Sequence, residues 1–271
     1  MRWAALALIL SAAPVLADVC VAKSDLVTSV PDGAHVGAPL PGSHAQATGP
    51  GGIRGAWYEQ ATDVYGHGIM GKVADAERLV VHVQRDGEGG CPYVRTEAGE
   101  DHVFEDIAPR VADVDGDGRS EIITVRSSLT QGAQLVVYAL RRDTLQILAA
   151  TPYIGRRHRW LAPAAVGDLD GDGHIEIAYV DRPHLAKTLR IWRYAHGELR
   201  EVASAGDLTN HAIGDEVIHG GLRDCGQGPE IVLSDAGRDR MLAVTFDGET
   251  FVARDIGAFT PLAAELAVAC R

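Results

Sequence analysis

Two stretches of this chain, 55 residues apart, are nearly the same sequence. Ile107-Ala108-Pro109-Arg110-Val111-Ala112-Asp113-Val114-Asp115-Gly116-Asp117-Gly118-Arg119-Ser120-Glu121-Ile122-Ile123 aligns with Leu161-Ala162-Pro163-Ala164-Ala165-Val166-Gly167-Asp168-Leu169-Asp170-Gly171-Asp172-Gly173-His174-Ile175-Glu176-Ile177. Such a period lies near the roughly 40 to 50 residues of propeller blades and far from the about 34 of helical repeats. A shortened third copy runs from Gly221 to Val232, and Tyr65-Gly66-His67-Gly68 to Val81 reads as an eroded earlier one. Phe259 to Ala264 restarts the Ala-Pro motif at the end.

Between the copies the chain reads as strands. Ile122 to Val125, Gln134 to Leu140 and Leu145 to Ala149 are short β-type runs, and Ile177 to Val180, Leu189 to Tyr194 and Leu199 to Ala203 repeat them. Gln131-Gly132, Arg142-Asp143 and His196-Gly197 punctuate the runs as turns, and helical periodicity is absent. A small sheet every 55 residues cannot bury both of its faces alone, so neighbouring sheets must pack on one another. The expected fold is all-β, a β-propeller of about four to five blades spanning 57–271. Residues 18–56, rich in Gly and Pro, are expected to be an irregular N-terminal segment or a strand that completes the last blade.

The acidic loops suggest a cation. Asp113, Asp115, Asp117 and Glu121 occupy positions 1, 3, 5 and 9 of the first loop, with Arg119 at position 7 free to offer its backbone carbonyl. Asp168, Asp170, Asp172, Glu176 and His174 repeat the pattern. Oxygen donors at this density suit Ca²⁺, whereas softer metals favour His or Cys. A solvated acidic turn would explain one such loop, but two at a fixed period favour two calcium sites. An EF-hand would need a bidentate Glu at position 12 between helices; here position 12 is Thr124 or Tyr179 and a β-branched strand follows.

With the closing carboxylate at position 9 and strands on both sides, the loops resemble the FG-GAP or VCBS repeat family, the calcium-loop propeller repeats also found in integrin α-subunits. The resemblance is specific over 113–180. It implies a calcium ion in the turn between the first two strands of a blade, held by the two residue sets above. In the third copy Cys225, Gly226 and Gln227 replace the inner carboxylates and leave Asp224 and Glu230 alone. No calcium is expected there, and a disulfide could stiffen that turn instead.

Export is read from the first seventeen residues. Arg2 supplies a positive n-region, Ala4 to Leu10 an apolar h-region, and Ala17 a small residue for cleavage before Asp18. The apolar run is well short of the roughly 20 residues that cross a bilayer. A cleaved signal peptide at 1–17 implies a periplasmic or secreted protein without membrane insertion. Four cysteines (Cys20, Cys91, Cys225, Cys270) then favour two disulfides. The pairing Cys20 with Cys270 is favoured because both lie at chain ends, which leaves Cys91 with Cys225.

The net charge of −12 argues against nucleic acid as a partner. Motifs of hydrolases, metalloproteases and nucleotide enzymes are missing. Candidate ligand-face residues are His67, Glu105, His158, Trp160 and His211, placed near the entries of their units, with Arg156-Arg157-His158-Arg159 adding local positive charge suited to an anionic sugar or carboxylate. Asp181-Arg182-Pro183-His184 reads as a turn with an ion pair. The expected function is an exported, calcium-binding, non-catalytic binding or scaffolding module for an unknown protein or glycan. The alternative is a glycan-active lyase or hydrolase with its site on one face, and convergence of His67, Glu105, Trp160 and His211 in one pocket would give that alternative its footing.

Overall fold

A computed structural model describes residues 37–47, 52–84 and 92–271. The signal-peptide segment 1–17, Cys20 and Cys91 lie outside the described residues. Four antiparallel meanders of four strands follow one another. The first comprises β1 (Ala45–Gln46), β2 (Ile53–Thr62), β3 (Asp75–Val83) and β4 (Tyr93–Glu97). A short β5 (His102–Phe104) precedes the second, which comprises β6 (Arg110–Ala112), β7 (Glu121–Ser128), β8 (Gly132–Arg141) and β9 (Thr144–Ala150). The third takes β10 (Leu161–Gly167), β11 (Glu176–Asp181), β12 (Thr188–Ala195) and β13 (Glu198–Ala205). After β14 (Leu208–Thr209) comes the fourth, with β15 (Gly221–Asp224), β16 (Pro229–Asp235), β17 (Arg240–Phe246) and β18 (Phe251–Ala258). β5 pairs with both β3 and β7, so the first two meanders form one nine-stranded sheet.

Period-two alternation sends successive side chains to opposite faces, which explains how the sheets stack. Ile122, Val136 and Tyr138 join a core shared with Tyr58 and Leu79 of the first meander and Phe104 of β5. Their neighbours Ile123, Val125, Leu135 and Val137 face the other way, against Leu161, Ile177, Tyr179 and Trp192 of the third. Ala178, Val180 and Ile191 in turn pack on Ile231, Leu233 and Val244 of the fourth. Each inner sheet is thus buried on both faces, as the continuous apolar runs of β7, β8 and β11 require.

Among the described residues the last sheet has no further sheet outside it. Val232 and Met241 on its outer face meet Ala264 and Ala267 of α1 (Pro261–Val268). The Ala-Pro motif at 259–264 is therefore a helix start, not another repeat. Thr260 is its N-cap, accepting from Ala263 N at 3.0 Å, and Pro261 sits at the first helical position, where its missing N–H is not needed.

Three further expectations are corrected. Cys270 bonds Cys225, which overturns both expected pairings, Cys20 with Cys270 and Cys91 with Cys225, because α1 carries the chain end back to the third acidic turn. Closing 45 residues constrains the unfolded chain by about 4 kcal/mol in the loop-entropy picture. The stretch Tyr65–Gly68 is not an eroded acidic turn; it lies in the long connection between β2 and β3. Within 18–56, the described Ala45 and Gln46 pair with Ala56 and Gly55 of β2, so that strand belongs to the first sheet and not the last.

Because the strands alternate in direction, the acidic turns between first and second strands lie at one end of the sheets. The β2–β3 connection and the approaches to β6, β10 and β15 lie at the other. The innermost strands β1, β6, β10 and β15 line one cavity of about 520 Å³. Contact between the first and fourth meanders includes these loops: Gly214 N donates to Ile69 O at 3.0 Å, and a Cβ on Gly71, whose φ is +63°, would sit 2.5 Å from Gly214 O.

Candidate functional site

The two acidic turns are superimposable in their hydrogen bonding. Asp113 accepts from Gly116 N (2.8 Å) and Gly118 N (2.9 Å), and Asp168 accepts from Gly171 N (2.7 Å) and Gly173 N (3.0 Å). Asp115 and Asp117 accept from Asp117 N and Arg119 N, as Asp170 and Asp172 do from Asp172 N and His174 N. Glu121 Oε2 accepts from Val114 N at 3.0 Å, and Glu176 Oε2 from Leu169 N at 2.9 Å. Each wrap brings carboxylate oxygens of Asp113, Asp115 and Glu121, or of Asp168, Asp170 and Glu176, within 4.8 Å of one another. These two clusters could hold a metal ion.

Glu121 is 0% exposed, and its Oε1 has no hydrogen-bond partner. A buried carboxylate oxygen left unpaired is costly, and burial, opposed by the bond from Val114 N and reinforced by the three aspartates, lifts the Glu121 pKa to about 7. An all-oxygen donor set with one orphaned, buried member fits a hard cation. The second cluster differs. Arg193 of β12 donates to Glu176 Oε1 (2.6 Å) and Asp170 Oδ2 (2.5 Å) and lies 2.9 Å from Asp172. In the third turn Asp224 accepts from Gly226 N and Gly228 N, while Glu230 is bracketed by Arg223 and Arg254, each at 2.6 Å. Cys225 of that turn is the disulfide partner of Cys270.

At the opposite end, all five ligand-face candidates come together. His67 Nδ1 lies 2.5 Å from Glu105 Oε1. The His67 ring stacks on His158 with centroids 5.0 Å apart. Trp160 Nε1 donates to Glu105 O at 2.8 Å, and the Trp160 ring meets His211 edge-on at 4.9 Å. Glu105 and His211 are buried behind, whereas His67, His158 and Trp160 line a cleft of about 290 Å³. Gly132 shapes its wall: at φ +76° a Cβ would sit 2.3 Å from Arg156 O, so only glycine lets the Arg156–Arg159 loop close on β8.

Burial dominates the electrostatics of this cleft. It raises Glu105 to about 8 against a stabilising bond from Ser127 Oγ. Asp75 rises to about 7 through burial and then repulsion from Glu105. Burial, helped by His211 and His67, lowers His184 to about 4, and burial also lowers His67.

Sequence reasoning missed several participants. Arg193 lies 17 residues beyond Glu176 and pairs with it across the β11–β12 ladder, a relation that only strand register reveals. Arg182 does form the expected ion pair with Asp181, and it also lines the cleft with His184. Ser127 and Asp75 carry no motif at all.

Residues 113–179 match the family model of the FG-GAP-like repeat, the family that the two loops resemble. No curated protein matches the chain. Similar solved structures include the exotype rhamnogalacturonan lyase YesX, at 12% identity and a TM-score of 0.42 over 81% of this chain and 50% of that one. Rhamnogalacturonan lyase YesW is similar at 13% identity and a TM-score of 0.41, over 81% and 52%. The chain spans about half the length of these structures. Among the described residues, no helix is long and apolar enough to cross a membrane.

Proposed function

We propose that the chain is an exported β-propeller of four blades, periplasmic or secreted, that works as a binding or scaffolding module and is held together by calcium. The observation that carries the calcium reading is the orphaned Glu121 Oε1, buried beside Asp113 and Asp115 in a turn that the fold repeats at Asp168–Glu176. Asp113, Asp115, Asp117, the Arg119 carbonyl and Glu121 would hold one ion. Asp168, Asp170, Asp172, the His174 carbonyl and Glu176 would hold the other. The ions would supply fixed positive charge to turns remote from the cleft, which supports a structural role. A protein or glycan ligand would bind at the His67 face.

Chelation tests the calcium reading. A ligand that binds only the native state at 100 times its Kd adds about 2.7 kcal/mol per site, so EDTA should lower Tm by roughly 5 to 10 °C per occupied site. An unchanged melt, with no calcium by elemental analysis, would sink it. A second reading, catalysis on a glycan, is favoured by one observation: a buried carboxylate fixes a half-buried imidazole at the cleft wall. Release of new reducing ends or unsaturated ends from a polysaccharide would support that reading.

A further inference from the structure

The cleft has the opposite electrical character to the chain that carries it. Of its ten lining residues two are arginines, three are histidines and none is acidic, in a protein of net charge −12. Arg182 is neutralised by Asp181 through two hydrogen bonds of 2.8 and 3.0 Å. Arg159 is not. Its Nη1 donates to His158 O at 3.0 Å, and among the described residues neither it nor Arg156 nor Arg157 forms an ion pair. An unpaired Arg159 in the lining, with Arg156 and Arg157 adjacent in sequence and likewise without carboxylate partners, favours anions at this opening of an acidic protein.

His67 adds a directed donor. Nδ1 faces Glu105 Oε1, and Nε2 has no hydrogen-bond partner among the described residues. While the pair as a whole has net zero charge it holds two protons, one between these two atoms and the other on Nε2, whichever atom carries the shared one. Nε2 is then a donor to whatever occupies the cleft. The raised Glu105 pKa of about 8 and the lowered one of His67 both favour retention of that arrangement at neutral pH. The walls are apolar: Leu185 is 63% and Ile213 72% exposed beside Ile69, Trp160 and Pro183. They offer nothing to a bare inorganic anion and a surface to a sugar ring.

We propose that this cleft binds a carboxylate-bearing sugar of the hexuronate class, its carboxylate on Arg159 and His67 Nε2–H and its ring against Leu185 and Ile213. The inference rests on the reading of this face as the ligand-binding one and names the ligand's chemistry.

Calorimetric titration of the full chain tests it with glucuronate and galacturonate, their neutral counterparts glucose and galactose, and inorganic phosphate. The uronates should bind about tenfold or more tightly than the neutral sugars, since a charge-assisted hydrogen bond contributes about 1.5–3 kcal/mol. Arg159→Ala should lose about tenfold and His67→Phe a comparable factor, each with an unchanged melt to show intact folding. Affinity should fall as pH rises from 7 to 9 and the His67–Glu105 pair loses its proton; Asp75, Tyr65, His158, His184 and Arg159 are the other charged or titratable groups around His67. Equal binding of neutral sugars would overturn the inference and leave the binding face standing. Equally tight phosphate would reduce the cleft to a plain anion site. Silence from all five probes would overturn both this inference and the cleft's part in the binding reading, while the calcium reading answers separately to chelation.

Discussion

The turns Asp113–Glu121 and Asp168–Glu176 share their internal hydrogen bonds and differ in one partner. Beside Glu176, across the ladder, stands Arg193, whose guanidinium reaches three carboxylates of its turn. In the second meander the register passes from Ile122↔Tyr138 to Ala139 beside Glu121, and a methyl group has no charge to offer. Arg141 comes only to 3.8 Å from Asp115. The third turn completes the series, with its inner aspartates gone and Glu230 held by two arginines. What persists through all three is the buried closing glutamate. Arginine supplies it with a positive partner in the second and third turns, whereas in the first Glu121 Oε1 has no hydrogen-bond partner among the described residues.

The largest expected effect comes from removing the chain's own cation. Arg193→Ala leaves the fully buried Glu176 without its charge partner; breaking such a pair costs about 3 kcal/mol, or roughly 6 to 12 °C in Tm. Calorimetry in EDTA should show this fall, and calcium should restore most of it. A fall that calcium does not touch would mean that Arg193 serves packing alone. Next in size is a pair of opposite signs. Glu121→Gln removes an unpaired buried charge and should raise the metal-free Tm, whereas Glu176→Gln weakens the Arg193 pair and should lower it, each by about 1–2 kcal/mol. Shifts in the same direction would erase the distinction between the turns. Smallest is Arg254→Ala, which removes a largely exposed partner of Glu230. A loss of about 0.5 kcal/mol, identical with and without calcium, is expected, and a calcium-dependent loss would put an ion in the third turn.

Much of the fold was legible because a repeat compares the chain with itself. All six strand runs read from alternation fall within β7, β8, β9, β11, β12 and β13, and the acidic turns stand where the spacing puts them. The ends were harder. Phe259–Ala264 carries the apolar letters of a repeat, but Thr260 and Pro261 form a helix cap, and the exposed outer face of the last sheet decides which wins. The disulfide pairing was misread because proximity of chain ends is a general tendency, whereas α1 brings Cys270 to one particular turn. In the cleft, candidate residues could be picked by position. Their partners could not: Ser127 reaches Glu105 from 22 residues away, and the Trp160 indole bonds it from 55.

The short strand β5 has a dynamic consequence. It is bonded on both edges, through Ala76↔Phe104 and through His102–Phe104 with Arg126–Ser128, so the amide ladders of the first two meanders are continuous. Opening one of them would have to break bonds belonging to the other. Slow amide exchange should therefore behave as a single cooperative unit from Ile53 to Ala150, with the third and fourth meanders opening separately and earlier.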